Sequence, residues 1–385
     1  MSIAQDTYKI EYQNYPSQTS QSVGRAWAMM NQQKWKEYQK SWPNLGHPIP
    51  LVSGRTEPNA EMIDYSDGSA LITLNDGLVL FLDSACRALA SGTNWSGPNG
   101  AIFDKASLSP EEVNAVLLGV YQQWPKLFKA KKLEPPPIPL SQQGEELAWG
   151  YFAPAILYIL MHELGHAALH RGKEFSKERE LEADGWAIKA LLRVFGKETD
   201  QINICLAGAL LSIRAYSAVD ALIPNAFPAG YPPPAERFDA ILNVFKNETQ
   251  LCPDDISYFC ETTIAFALDL RMRATELAYR GQVITSPLKA PQLLSSLVSI
   301  LIEVHAGRMK GDDAVGIIQS LIVNAPANLL KEAGAFARRV FSPEQHTCRQ
   351  DGAIGKKHRQ IIKLFEGMLP KFDGPAKIFA EEAHR

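Results

Sequence analysis

Cysteine and net charge are both scarce in this chain, and each shortage narrows what the protein can be. Its five cysteines among 385 residues are odd in number and show no CxxC spacing, which predicts a reducing, cytoplasmic environment. The formal net charge is only −3, and the isoelectric point is near 6.3. Nucleic acid is therefore not an expected partner, because a broad surface for it would need a large positive charge.

The sequence also lacks a long hydrophobic run. Its longest apolar stretch, residues 148–161, has 14 residues, whereas a membrane-spanning helix needs about 20. The first residues are polar and contain no apolar core, so no signal peptide is expected. These absences predict a soluble protein without a membrane partner, in which the apolar stretch forms a buried helix.

One stretch, residues 162–184, carries an HExxH motif followed by an ExxxD motif. If the apolar run continues into it as a helix, His162 and His166 lie four residues apart on one face and can bind one metal ion. Glu163 is turned by about 100° around the helix axis. This places its carboxylate beside the metal, where a general base is needed.

The ExxxD motif supplies the predicted third ligand, Glu180, because a catalytic zinc ion has three protein ligands and a position open to water. Asp184 lies one turn further along a predicted helix, residues 180–195. It is predicted to accept the other N–H of His162, as partners of metal-bound histidines generally do. An HExxH sequence arises by chance in about one chain in a hundred of this length, so a surface helix with incidental histidines is the alternative.

The two motifs together resemble those of the gluzincin metallopeptidases, in which an aspartate follows the zinc-binding glutamate by four residues. Residues 162–170 and 180–184 are similar to the HELGHxxLH and ExEAD segments of ImmA/IrrE-type regulators. The compact spacing also resembles the soluble Lit-type phage-exclusion peptidases. HtpX-type and CAAX-prenyl-protease-type enzymes usually separate the motifs by much more than the 13 residues found here, and thermolysin-like enzymes fit less well in size and surroundings.

Residues 231–237 add two candidates to the site. Several soluble gluzincin-like families carry an HPxxxxR-like segment here, which Pro232 and Arg237 match, and Tyr231 takes the place of the histidine. The resemblance implies that Tyr231 is catalytic and stabilises the oxyanion of the tetrahedral intermediate, which a tyrosine hydroxyl can do. Arg237 is a candidate cleft residue and structural ion-pair partner. Alternatively, the prolines only begin a helix over residues 235–245.

His170 is a further candidate for the cleft. It follows His166 by four residues and is turned about 40° further around the helix. From this position it can face the cleft without reaching the metal.

The remaining sequence predicts a mainly α fold of the α+β type: a zincin-like catalytic core with a small sheet and a large helical C-terminal region. Residues 69–74 are the one good strand candidate before the motif, and such a strand could align an extended substrate. A helix over residues 78–90 is preferred to a hairpin. Helices are also predicted near the following residues: 110–124, 201–221, 254–280, 291–305, 312–323, 326–341 and 356–368.

Three parts of the chain are expected. Residues 1–140 form an N-terminal region with the strand candidate and helices, residues 141–250 the zinc-binding core, and residues 251–385 the helical C-terminal region.

The sequence-based hypothesis is hydrolysis of a peptide bond in a specific intracellular protein. One Zn²⁺ held by the two histidines and Glu180 would lower the pKa of its water and polarise the scissile carbonyl. Glu163 would take the proton and return it to the leaving amine. Phage defence and stress regulation are the roles that the resemblance implies.

A second hypothesis belongs to another class: a non-catalytic or regulatory interaction protein with a structural zinc ion. Its helical C-terminal half would then bind a regulatory protein partner. A structural site would have four protein ligands, and the sequence offers no strong fourth candidate near the motifs.

Overall fold

The computed structural model describes most of the chain, in segments separated by short gaps. The described residues are 2–14, 18–30, 36–37, 40–42, 48–57, 59–91, 95–96, 102–104, 108, 110–127, 137–196, 199–223, 227, 229–249, 251, 256–281, 290–305, 307, 309–322, 325–341 and 352–385. The described residues are 78% helical and include a small three-stranded sheet. This confirms the predicted mainly α class.

The chain divides into two compact units. The first comprises residues 1–95, 103–248 and 268–281, and the second comprises residues 96–102, 249–267 and 282–385. Both sequence motifs lie in the first unit.

The first unit contains the three-stranded sheet, which comes early in the chain, together with the helices named here and the helical residues 268–279. Its elements are α1 (Ile3–Asn14), α2 (Gln18–Met30), β1 (Ile49–Ser53), β2 (Ala60–Asp64), β3 (Ala70–Asn75), α3 (Asp76–Ser91), α4 (Pro110–Leu127), α5 (Gln142–His170), α6 (Lys177–Phe195), α7 (Thr199–Leu222) and α8 (Pro234–Thr249). Two short strands, β4 (Trp95–Ser96) and β5 (Ile102–Asp104), pair with each other.

The sheet has the order β1-β3-β2, so the predicted strand lies in its centre. β1 runs parallel to β3, and β2 runs antiparallel to it, with Ala60 opposite Leu74. Every residue of β3 is buried. The strand prediction is confirmed, but its expected role in aligning a substrate is wrong, because both edges of β3 are already paired. The edge strands β1 and β2 were not predicted.

The long helix α5 explains how the HExxH motif comes to be buried. The Ser141 side chain caps its first turn by accepting the N–H of Gly144 at 3.1 Å. The helix then continues through Pro154 without ending. Gly208 of α7 packs directly on Pro154: a Cβ built on this glycine would lie 2.5 Å from the proline carbonyl carbon. The Ser212 hydroxyl lies 2.9 Å from the carbonyl oxygen of Ala155, which ties the two helices together.

Two helical stretches, Gln142–His170 and Gln201–Asp220, are long and apolar enough to cross a membrane by length and composition. The apolar window of each is 83% buried inside the protein, which is consistent with core helices of a soluble protein. The expectation based on length was wrong, because residues 148–161 belong to a 29-residue helix. The burial of that helix is what argues against a membrane span.

The described residues in the last third of the chain are mainly helical, as predicted. Its helices are α9 (Ile256–Tyr279), α10 (Ala290–His305), α11 (Gly311–Ile322), α12 (Ala327–Phe341), α13 (Gly352–Met368) and α14 (Gly374–His384). In the second unit, the rings of Phe341 and Phe365 stack with centroids 4.0 Å apart, and Phe379 of α14 packs on Phe365. α14 was not predicted.

Because Gly208 packs directly on Pro154, any side chain at position 208 is predicted to lower the stability of the protein. Gly208→Ala should lower the free energy of unfolding by about 1–3 kcal/mol, because the new methyl group would overlap backbone atoms that cannot rotate away. Thermal or urea unfolding monitored by circular dichroism measures this.

Gly150→Ala on α5 is the matched control. A Cβ there meets nothing within 4 Å, so alanine should be neutral or should stabilise the helix by up to about 1 kcal/mol. Equal effects of the two substitutions would contradict the close packing of α5 and α7.

Candidate active site

Two helices and a short turn build the candidate site. α5 ends with the HExxH motif, and Ser176 caps the start of α6 by accepting the N–H of Arg179 at 3.3 Å. Acidic residues are favourable in the first turn of a helix, and Glu180 lies there. The short connection between α5 and α6 therefore brings Glu180, in the first turn of α6, back to the histidines of α5.

Gly165, the glycine of HELGH, lets α5 and α6 approach each other closely. A Cβ built on it would lie 3.1 Å from both the Cα and the carbonyl oxygen of Ala183. Ala183 lies between Glu180 and Asp184, so this close approach brings both acidic residues against the histidines. A larger residue at position 165 would separate the two halves of the site.

Three side chains converge closely enough to hold a metal ion: His162, His166 and Glu180. The two histidine Nε2 atoms are 3.1 Å apart, and each lies 3.3 Å from an oxygen of Glu180. His162 is nearly buried, whereas the His166 side chain is 25% exposed. The group is thus buried at His162 and accessible to solvent at His166.

The Asp184 carboxylate is fully buried and orients His162 from behind, with Oδ1 2.9 Å from Nδ1 of the imidazole. The Tyr158 hydroxyl donates to the same oxygen at 2.6 Å. Arg237 donates Nε–H and Nη2–H to the two carboxylate oxygens at 2.7 and 2.6 Å. Burial alone would raise the pKa of Asp184, but the Arg237 guanidinium holds it at about 2, so the carboxylate stays charged.

The pKa values of the motif residues follow from burial and from their mutual contacts. Burial would lower the pKa of His162, but the hydrogen bond with Asp184 raises it to about 10. Burial would raise the pKa of Glu180, but hydrogen bonds from the two histidines lower it. Burial raises the pKa of Glu163, which brings this carboxyl closer to the range in which a group can both accept and return a proton.

Tyr231 is held at the site by the same arginine. Arg237 donates Nη1–H to the Tyr231 hydroxyl at 2.5 Å, so the hydroxyl acts as an acceptor there and keeps its own hydrogen for donation. Burial raises the pKa of Tyr231, which keeps it a neutral donor. Arg237 is itself almost completely buried. A cavity opens at the site, and the described residues that line it include Tyr231 but not Arg237.

A cavity of about 340 Å³ opens beside the three converging side chains. Its lining includes residues 59–62, of which 60–62 belong to β2. In the part of the chain that the structure describes, β2 is an edge strand whose outer edge is free. Arg171, directly after α5, forms an ion pair of 2.5 Å with Asp64 at the end of β2. This pair fastens the edge strand beside the motif helix.

His170 lines the cavity, but it is not part of the group that converges for a metal ion. Its ring centroid is 5.8 Å from that of His166, and its Nε2 lies 3.3 Å from an oxygen of Glu182. Burial lowers the pKa of His170.

Sequence reasoning missed Tyr158, Tyr216, Phe175 and Phe227. Tyr158 precedes His162 by four residues on the same helix, so its position could have been found from helical spacing. Tyr216, Phe175 and Phe227 line the cavity. Tyr216 and Phe227 lie far along the chain from the motif, and nothing local in the sequence points to them.

Residues 113–252 match the model of the family described as Peptidase U49, and this range contains all the motif residues together with Tyr231 and Arg237. The match supports a peptidase, which implies a protein or peptide substrate. No curated protein and no solved structure matches the chain. The gluzincin, Lit-type and ImmA/IrrE-type resemblances stay predictions.

The buried ion pair predicts a large effect for Arg237→Met. This change leaves the Asp184 carboxylate buried without its cationic partner and should lower the free energy of unfolding by about 3–5 kcal/mol. Urea denaturation measures the difference. Arg55→Met removes the exposed ion pair with Glu61 and should change stability by less than about 0.5 kcal/mol. A loss below about 1 kcal/mol for Arg237→Met would contradict the described network.

The ion pair between Arg171 and Asp64 predicts that charge reversal can be rescued. Arg171→Asp or Asp64→Arg alone places like charges together and should increase amide hydrogen exchange in β2 by about 2–5-fold, the scale of a partly exposed ion pair. The double variant restores the attraction and should return exchange close to the parent rate. Peptide-level hydrogen exchange over residues 60–64 tests this, and additive effects in the double variant would refute the pairing.

Proposed function

We propose that the protein is a zinc-dependent endopeptidase that hydrolyses a peptide bond in a specific intracellular protein. The observation that carries this proposal is the convergence of His162, His166 and Glu180 beside an open cavity, with Glu163 next to them on α5. The match to a peptidase family supports the reaction class.

The donor set supports zinc as the metal. Two imidazoles and one carboxylate are frequent ligands of catalytic zinc, and ligand atoms at tetrahedral corners around it lie about 3.3 Å apart. The separations of 3.1 and 3.3 Å agree with this spacing. When bound, zinc supplies a Lewis acid that activates water and polarises the scissile carbonyl.

Side chains and main chain of the protein carry out the other steps of the proposed reaction. Glu163 accepts the proton of the attacking water and returns it to the leaving amine. The Tyr231 hydroxyl donates its hydrogen to the developing oxyanion. Asp184 fixes the ring of His162, so that Nε2 faces the cavity. The free edge of β2 aligns an extended substrate by main-chain hydrogen bonds.

A purely structural zinc site is the alternative, and it would need a closed shell of four protein ligands. Among the described residues the converging group contains three possible ligands, and the side chain of one of them, His166, is partly exposed. This observation favours catalysis. A role in phage defence or stress regulation rests on the compact motif spacing, which resembles Lit-type and ImmA/IrrE-type proteins.

Glu163→Gln should retain the zinc ion and reduce cleavage by about 10²–10⁴-fold, because the amide cannot act as a general base. His162→Ala should lose the ion, because it removes one of three protein ligands. Metal analysis by mass spectrometry measures one ion per chain in the parent and in Glu163→Gln. His384→Ala changes an exposed histidine on α14 and should keep the ion.

Labelling of new protein N-termini in cell lysate compares the parent with Glu163→Gln. One dominant new terminus would indicate a dedicated target, and many would indicate broad proteolysis. Equal cleavage by a zinc-replete Glu163→Gln protein would refute the proposal.

A further inference from the structure

We infer that a stack of three aromatic rings, Phe175, Tyr231 and Phe227, is the subsite that binds an aromatic or large apolar side chain of the substrate beside the scissile bond. This inference rests on the proposed peptidase function and adds the substrate class to it.

The three rings form one continuous surface. The rings of Phe175 and Tyr231 are nearly parallel, with an interplanar angle of 9° and centroids 6.3 Å apart. Tyr231 and Phe227 stack at 4.7 Å and 17°. Tyr216 packs its edge on Phe227 at 5.6 Å. All four side chains line the cavity that also contains the metal-binding group.

The stack is fixed relative to the reacting groups. Its central ring is held through the Tyr231 hydroxyl by Arg237, whose guanidinium carbon also lies 5.2 Å from the ring centroid. Arg237 in turn donates a hydrogen bond to Asp184, which contacts His162. A side chain bound on the stack is therefore held at a defined position relative to the metal ligands, as selective hydrolysis requires.

The outer ring of the stack is available for binding. Phe175 is 45% exposed although it lines the cavity, and it lies in the segment that joins α5 to α6. A single exposed apolar residue needs no explanation, but this one continues a stack whose inner rings are partly buried. An aromatic or large apolar side chain that covers Phe175 would extend the stack, which aromatic pairs favour.

The aromatic stack is uncharged, whereas the rest of the cavity lining carries charged side chains. The lining contains four glutamates and two basic residues, whereas the stack offers ring carbons and the Tyr231 hydroxyl. A carboxylate placed on the ring faces would lose hydration, and the four glutamates of the lining would repel it. Negatively charged side chains should therefore bind poorly at this subsite.

Binding of dansyl-Gly-X-hydroxamates to zinc-loaded Glu163→Gln protein tests the inference without cleavage. The probes differ only in X, which is Phe, Leu, Ala or Asp, and the dissociation constant is read from dansyl fluorescence. We expect Phe and Leu to bind about 10-fold more tightly than Ala and expect Asp to bind most weakly. In Phe175→Ala, added to the same background, this preference should fall below about 3-fold.

Two further variants separate the stack from general effects. Phe175→Tyr keeps the ring and should keep the preference for Phe, whereas Ile204→Ala changes an exposed apolar residue on α7 (46% exposed) that is absent from the cavity lining and should change nothing. An unaltered preference in Phe175→Ala, or tightest binding of the Asp probe, would overturn the subsite while leaving the peptidase proposal intact. Failure of the parent background to bind zinc or any hydroxamate would overturn the proposed function, and the subsite with it.

Discussion

The buried charge of Asp184 is the constraint on which the site depends. A carboxylate without water must be matched by donors and by an opposite charge, or it would be protonated. Here the match comes from α5 through Tyr158 and His162 and from α8 through Arg237. One carboxylate on α6 thereby connects three helices at a common point. Through His162 it adjoins the three side chains that converge closely enough to hold a metal ion.

The motif could be predicted from the sequence because its geometry is local. Helical periodicity alone places His162, Glu163 and His166 relative to one another, and the cap at Ser176 sets the start of α6. The mutual approach of the two helices also had a sequence signal, Gly165, although its partner Ala183 could be identified only in the structure. The donors to Asp184 from Tyr158 and Arg237 required knowledge of how three helices pack.

Other features depended on contacts between distant segments and could not be predicted. β2 is short and partly exposed, so its alternation is weak, and its role as an edge follows only from its pairing with β3. Pro154 signals a break in any isolated helix, yet α5 continues because Gly208 and Ser212 of α7 pack against that turn. Phe227 lies only four residues before Tyr231, whereas Phe175 meets Tyr231 through the fold and not through spacing in the chain.

With the proposed function, the free edge of β2 would limit the shape of what the cavity can accept. A chain that pairs with all five residues of this strand must itself be extended over about 17 Å, and a helix or a compact turn cannot do so. A folded protein would therefore be accessible only where an exposed loop can straighten, or after local unfolding exposes such a segment. The conformational stability of the target, and not its sequence alone, would then decide when it is cut.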